Sequence, residues 1–316
     1  MSLKDRSSSV SPGTVLSVFC LLLYSAGFIR IELKLDDHGQ RLVAVEEVIS
    51  QLQKQKMADQ ASNEDSYTTI KAVGSPVTHH TRYITQGAWM KDPLGIMGTE
   101  TIFVMKSYIS QNVVEEFENM AKLKAGVTRK TYTLPYNWDG TGAVVYGKYL
   151  YYNRANTYYI VKYNFLTRSV EAQITLSGYS PRAIAYMWGG RSGVDLAVDE
   201  QGLWVLWGNT ADNRRLYASK IVGDVIVHTY PLATERMNAI GNAFVACGVI
   251  YCIDDYNANP TTINFAYDTK TGKQWNPNIQ FTNRYGYNSM VDYNPREKVL
   301  YAWDRTRLVT YSITWN

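Results

Sequence analysis

From residue 69 to residue 316 the chain alternates apolar and polar positions with a period of two, in short runs separated by turn chemistry. That period belongs to half-buried strands. The clearest case is residues 194–207. Leu196 and Val198 alternate along an entering strand, Asp199-Glu200-Gln201-Gly202 supplies a turn, and Leu203-Trp204-Val205-Leu206-Trp207 resumes an apolar run. Asp195 is an acid on the entering strand. Three other stretches align with this hairpin on the aromatic of the second strand: Ala143 to Tyr151, Ala243 to Tyr251 and Tyr293 to Tyr301. The steps between Tyr151, Trp204, Tyr251 and Tyr301 are 53, 47 and 50 residues. Each hairpin is followed by a third strand, opening at Tyr159, Arg215, Ile263 and Leu308, and Val170–Leu176 reads as a fourth.

Four-stranded units repeating at about 50 residues are the signature of propeller blades. The region from Thr101 to the strand at Thr131 fits the same plan less well, and counting it gives five. The expectation is an all-β fold, a five-bladed β-propeller over residues 69–316. A β-sandwich with accidental spacing is the alternative.

The N-terminal pattern differs. Residues 1–12 are polar and Ser-rich, and Thr14 to Ile29 carries no charge. As a helix at about 1.5 Å per residue, that run falls slightly short of a bilayer core. The expectation over residues 13–31 is a membrane or signal helix, read either as a retained signal anchor or as a cleaved signal peptide with Ser25 and Gly27 near the cut. Flanking charge leaves orientation open, because Lys4 and Arg6 are balanced by Arg30 and Lys34. Either reading sends the remainder through the secretory pathway. Residues 32–57 then carry a short a/d seam, Leu35, Leu42, Val45, Ile49 and Leu52. It predicts a coiled-coil stem joining copies of the chain through residues 35–56, or an amphipathic helix lying on its own domain. Residues 58–68, rich in Asp, Asn, Ser and Glu, read as a linker.

Composition narrows the chemistry. The formal net charge is only +4, without a clustered basic face, which argues against nucleic acid as partner. The 3 cysteines, Cys20, Cys247 and Cys252, are too few for a disulfide scaffold and lack zinc spacing. No Gly-x-Ser-x-Gly, His-Glu-x-x-His or phosphate-cradling glycine loop is present. His79-His80, Asp199-Glu200 and Asp254-Asp255 read as solvated pairs, and Tyr151-Tyr152 and Tyr158-Tyr159 as blade packing.

The repeat itself assembles the one constellation. In a propeller the first strand of every blade lines the axis, so equivalent positions converge there. Nine residues before each anchoring aromatic lie Gly142, Asp195, Asn242 and Asp292. Two carboxylates in a narrow channel repel each other and lose hydration, and a hard cation relieves both costs. Ca²⁺ takes six to eight oxygens, so backbone carbonyls such as those of Ala243 and Val291, with water, complete the shell. Oxygen donors without His or Cys argue against zinc or copper. The competing reading has Asp195 and Asp292 capping turns at a blade end.

The motifs Trp188 to Trp204, Gly241 to Tyr251 and Met290 to Trp303, with Gly87-Ala-Trp-Met-Lys-Asp92 and Gly140 to Tyr146, closely resemble the olfactomedin domain over roughly residues 70–315. The resemblance implies a five-bladed propeller in secreted or membrane-tethered extracellular proteins that act in adhesion, matrix organisation and signalling, without an established catalytic activity. Myocilin-like members hold Ca²⁺ in the channel. By resemblance the ligands here are the side chains of Asp195, Asn242 and Asp292 and the carbonyls of Ala243 and Val291. A neighbouring monovalent site, such as one for Na⁺, would use Asp195, Asp292 and the Leu196 carbonyl, while a further channel acid of such members would fall at Gly193. The family also ties a Cys near the domain start to the position of Cys247. No Cys lies in Tyr67 to Gly74, so Cys247 is unpaired or paired differently, and strand geometry opposes a bond to Cys252. Loss of such a long-loop bridge removes about 2–4 kcal/mol. An anchor, a stem and a C-terminal domain are also similar to the gliomedin-like, type II membrane subgroup, whose collagen repeats are absent here.

Two functions follow as expectations. One is a non-enzymatic extracellular adhesion, signalling or matrix module with a structural Ca²⁺, bound to extracellular or cell-surface proteins. The other is a metal-dependent propeller hydrolase of lactonase type, which needs an open metal position and a nearby general base.

Overall fold

The computed structural model describes residues 18–24, 27–33 and 69–316. The chain divides into two compact units, Met1–Tyr67 and Thr68–Asn316. In the first unit, β1 (Val18–Tyr24) and β2 (Gly27–Leu33) form an antiparallel pair, with Val18 opposite Leu33 and Tyr24 opposite Gly27. Within residues 13–31 a strand pair therefore stands where the uncharged run predicts a helix. Phe28 to Leu33 alternates Ile29, Ile31 and Leu33 with Arg30 and Glu32, a period of two that suits a strand better than a helix. Among the described residues no helix is long and apolar enough to cross a membrane. The stem seam from Leu35 to Leu52 and the linker up to residue 68 lie outside the described residues.

In the second unit, β3 (Ile70–Val73) and β4 (Val77–Thr81) come first in the chain but belong to its last sheet. The first blade is β5 (Gly87–Met90), β6 (Ile102–Lys106), β7 (Val113–Phe117) and β8 (Lys130–Thr133). The second is β9 (Val144–Tyr146), β10 (Tyr149–Asn153), β11 (Tyr159–Asn164) and β12 (Ser169–Thr175). The third is β13 (Val194–Asp199), β14 (Gly202–Asn209), β15 (Arg215–Val222) and β16 (Val225–Arg236). The fourth is β17 (Asn242–Ala246), β18 (Val249–Ile253), β19 (Thr261–Asp268) and β20 (Gln274–Trp275), with β21 (Ile279–Phe281) also on β19. The fifth is β22 (Asn288–Asn294), β23 (Val299–Asp304) and β24 (Arg307–Trp315). Both β3 and β4 pair with β24, so the start of the propeller supplies the outer edge of its last blade. The five-bladed β-propeller expected from the repeat is the fold, and the four aligned hairpins are β9–β10, β13–β14, β17–β18 and β22–β23.

Position in the blade explains the sequence patterns. Inner strands are covered on both faces by neighbouring blades. Every residue of β13, β17 and β22 is buried, so they show no alternation of buried and exposed positions even where Asp or Asn interrupts the apolar run. Outer strands face water on one side, and β12 alternates accordingly. Aromatics lock blade to blade: Trp89 on β5 donates from Nε1 to the Ala302 carbonyl of β23 at 2.8 Å. Tyr151 and Tyr152 are buried packing residues, as the sequence indicates.

Acids at the ends of inner strands clasp adjacent blades. Asp199 closes β13. Its Oδ1 accepts from Gln201 N at 2.9 Å and Trp204 Nε1 at 2.7 Å, and its Oδ2 accepts from Gly248 N in the β17–β18 turn at 2.7 Å. Asp92, just after β5, likewise accepts from Gly147 N in the β9–β10 turn at 2.7 Å. Glu200 extends the first clasp, taking Cys247 N at 2.9 Å and the Tyr293 hydroxyl at 2.7 Å. The solvated reading of Asp199-Glu200 is thus corrected for Asp199, which is only 2% exposed because the neighbouring blade covers it, while Glu200 stays exposed. Asp199→Ala leaves two buried donors, Trp204 Nε1 and Gly248 N, without an acceptor and is expected to cost about 2–3 kcal/mol in denaturant melts, with Asp199→Asn recovering part of it.

The β17–β18 turn also accounts for Cys247. Cys247 and Gly248 have φ of 51° and 75°, the left-handed pair of a two-residue hairpin turn. Cys247 and Cys252 are both free. Burial and the Glu200 carboxylate push the Cys247 thiol up to about 12, which makes it a poor nucleophile.

Candidate metal centre in the propeller channel

The inner strands stand side by side around the axis: β5 beside β22, β22 beside β17, β17 beside β13, and β13 beside β9. Each of β13, β17 and β22 pairs in its sheet on one side only, through β14, β18 and β23. In an antiparallel pair alternate residues turn both N–H and C=O away from the partner, so such an inner edge presents carbonyls to the channel. Leu196 shows the orientation. Its N–H leaves the sheet and donates to the Gly142 carbonyl at 3.1 Å, which turns its own carbonyl toward the same side.

All five residues expected at the site lie on these strands. Asp195 is on β13, Asn242 and Ala243 open β17, and Val291 and Asp292 are on β22. Asp195, Asn242 and Asp292 are all buried, and neither acid caps a turn. Asn242 Nδ2 donates to the Asn288 carbonyl at 2.9 Å, which fastens β17 to β22 and fixes the amide. Tyr186 donates its hydroxyl to Asp195 Oδ2 at 2.7 Å. Neither carboxylate oxygen of Asp292 has a hydrogen-bond partner.

Electrostatics match that geometry. Burial pushes the Asp195 carboxyl up to about 7, against the Tyr186 hydrogen bond that favours its charged form. Burial, and then the Asp195 charge, holds Asp292 well above the usual carboxylate range. Two buried acids close enough for the charge of one to raise the other are costly in a water-poor channel without a cation. Among the described residues no three His, Cys, Asp or Glu side chains gather as a metal site, and the expected donor set would be two carboxylates, an amide and backbone. Hard oxygen donors of that kind suit Ca²⁺.

One contact at the site, Tyr186, carries no signal in the repeat alignment, and another, Gly142, appears there only as a position without a side-chain ligand. Tyr186 lies in the segment before β13, outside the aligned strands, and nothing in its local sequence marks it. Gly142 occupies the equivalent position in the second blade and bridges in parallel to Asp195. A Cβ there would sit 2.2 Å from Asp195 Oδ1 and 2.5 Å from Asp195 Cα, so only glycine admits the acid. At Gly193 a Cβ would meet the Ile184 carbonyl at 2.5 Å and the Tyr179 ring at 2.9 Å, so backbone and an aromatic fill the space beside it.

The model of the Olfactomedin-like domain family matches residues 61–316. Myocilin from Bos taurus is 35% identical over 276 residues, covering 84% of this chain and 56% of that protein. Myocilin from Homo sapiens is 37% identical over 252 residues, covering 76% and 49%. The chain thus spans about half the length of the curated relatives it matches. Among solved structures, Myxococcus xanthus glutaminyl cyclase superposes with a TM-score of 0.46 at 14% identity, over 78% of this chain and 97% of that one. At that distance nothing about its chemistry transfers.

Proposed function

Because the chain belongs to the olfactomedin-domain family, we propose that its propeller is a non-enzymatic extracellular module for adhesion, signalling or matrix contact, stiffened by a channel Ca²⁺. The observation that carries the metal is the buried Asp292 carboxylate, which lacks any hydrogen-bond donor beside a second buried acid. Asp195, Asn242 and Asp292 would hold the ion through side chains, and Ala243 and Val291 through carbonyls. A monovalent ion such as Na⁺ would share Asp195, Asp292 and the Leu196 carbonyl. The cation neutralises both acids and links three inner strands, a structural role that requires no open position. Residues 13–31 deliver the chain to the secretory pathway, and residues 35–56 join copies, so that several propellers face extracellular or cell-surface proteins together. Such multivalent display raises avidity without new contacts.

The histidines among the described residues favour this reading over a hydrolase. His79 and His80 are on β4 and His228 is on β16, all outer strands of their blades. None is placed to act as a general base at the channel acids. A panel of ester and lactone substrates is expected to show no turnover that Asp292→Ala removes, and metal-dependent turnover lost in that variant would overturn the assignment. N-terminal sequencing of mature protein from cell-surface and medium fractions tests the delivery. Recovery only from cytosol, with residues 1–31 intact, contradicts it.

A further inference from the structure

Away from the channel acids, the second and third blades and the loop after β5 line a cavity of about 410 Å³. Its wall is mostly apolar: Leu94 and Ile96 from the loop, Tyr149 and Tyr151 from β10, Leu203 from β14 and Ile221 from β15. That volume and lining are those of a small-molecule site.

The rim is built rather than loose. Asp92 is fully buried and accepts from Leu94 N at 3.0 Å, Met97 N at 3.2 Å and Gly147 N at 2.7 Å. The loop is thereby pinned to the second blade, yet Leu94 and Ile96 are 52% and 63% exposed. A fixed loop holding two aliphatic side chains in water at a cavity mouth has an unmet apolar surface.

The polar groups in the wall decide the charge of the occupant. Lys148 and Lys162 place their ammonium groups over the Tyr149 ring, 5.3 and 4.4 Å from its centroid. Lys162 is paired with Asp224 at 2.8 Å. Lys148 has no ion pair among the described residues. Glu171, a further acid nearby, accepts from Asn164 Nδ2 at 2.5 Å and shares its charge between Lys162 and Lys148 without pairing directly with either. A cationic ligand would meet two ammonium groups already on the aromatic face it needs. An anion meets one, Lys148, that no carboxylate among the described residues pairs directly.

We propose that this cavity binds a small amphipathic carboxylate, its apolar body against Leu94, Ile96, Tyr149 and Tyr151 and its carboxylate on the Lys148 ammonium. The site shares no residue with the channel and stands whether or not a metal is bound there.

The test titrates decanoate, below its micelle concentration, into the full chain by calorimetry, with decanol as the neutral control. Saturable binding at one site per chain is expected. Losing the charge-assisted contact in Lys148→Gln, or replacing decanoate with decanol, is expected to weaken it about tenfold. Ile96→Ser, an exposed substitution that spares the fold, is expected to weaken it several-fold through lost apolar contact. Absence of binding overturns the proposal. So does binding that Lys148→Gln and Ile96→Ser leave unchanged while their melting curves match the parent.

Discussion

Calcium added to metal-free protein is expected to raise its melting midpoint, and Asp292→Ala is expected to abolish that response. A ligand that binds only the folded state stabilises it by about 2.7 kcal/mol at a hundred times its dissociation constant. The second arm of this prediction is sharper. In metal-free protein Asp292 is a buried carboxylate with no donor on either oxygen. Asp292→Asn removes that charge at nearly constant volume, so without metal the variant is expected to be more stable than the parent, while with calcium it is less stable. Breaking an ordinary structural contact would instead destabilise under both conditions. A melting temperature indifferent to calcium and to chelator removes the metal from the channel.

The pH dependence of metal-free protein tests the same acids. The folded-state pKa of Asp195 is raised to about 7, above its value in the unfolded chain, and Asp292 is raised in the same direction. The folded state therefore binds more protons between those values, and stability falls as pH rises. It is fully present below about pH 4, the ordinary carboxylate range, and is lost as pH passes about 7. Metal-free protein is thus expected to melt higher at pH 5 than at pH 7.5. Calcium at pH 7.5 should remove most of that difference, because the ion takes the place of the protons. Identical metal-free melting curves at the two pH values would falsify the assignment of Asp195 and Asp292 as buried, uncompensated acids.

The hairpins were readable because their turns and inner strands are local. Asp199 to Gly202 and Cys247-Gly248 punctuate runs whose burial is uniform, and the offset from the next aromatic is held constant by strand length. That is why Asp195, Asn242 and Asp292 could be aligned without any knowledge of what lies beside them. The first blade was blurred for a physical reason. Its inner strand β5 is only 4 residues long and buried at every one, so it shows no alternation. Closure was hidden as well. β4 is exposed or half-buried throughout, and β3 buries only Ile70. Their place depends on β24, at the far end of the chain, which no local pattern encodes. Asp199 reads as a solvated turn acid because a turn acid and a clasp acid have the same local sequence. The difference is the neighbouring blade's Gly248 N–H.

Gly142→Ala is expected to be among the most damaging single-methyl additions in the propeller. The added Cβ meets the Asp195 backbone at 2.5 Å as well as its carboxylate, so no rotamer change relieves the contact and β13 must move from the second blade. Overpacking of this kind costs about 1–3 kcal/mol. The Leu196 N–H bond to the Gly142 carbonyl, 3.1 Å long, is strained by the same displacement. The control is Gly126→Ala, at φ 69° with nothing within 4 Å of its Cβ, where only backbone strain is at stake. The pair separates crowding from loss of glycine's freedom, since Gly142 is not among the positive-φ residues. Calorimetric titration with calcium then asks whether the crowding reaches the site. If Asp195 is a ligand, Gly142→Ala weakens calcium binding while Gly126→Ala does not. A Gly142→Ala protein that binds calcium with parent affinity would show that Asp195 stands outside the coordination shell, leaving Asp292 and Asn242 to hold the ion with backbone alone.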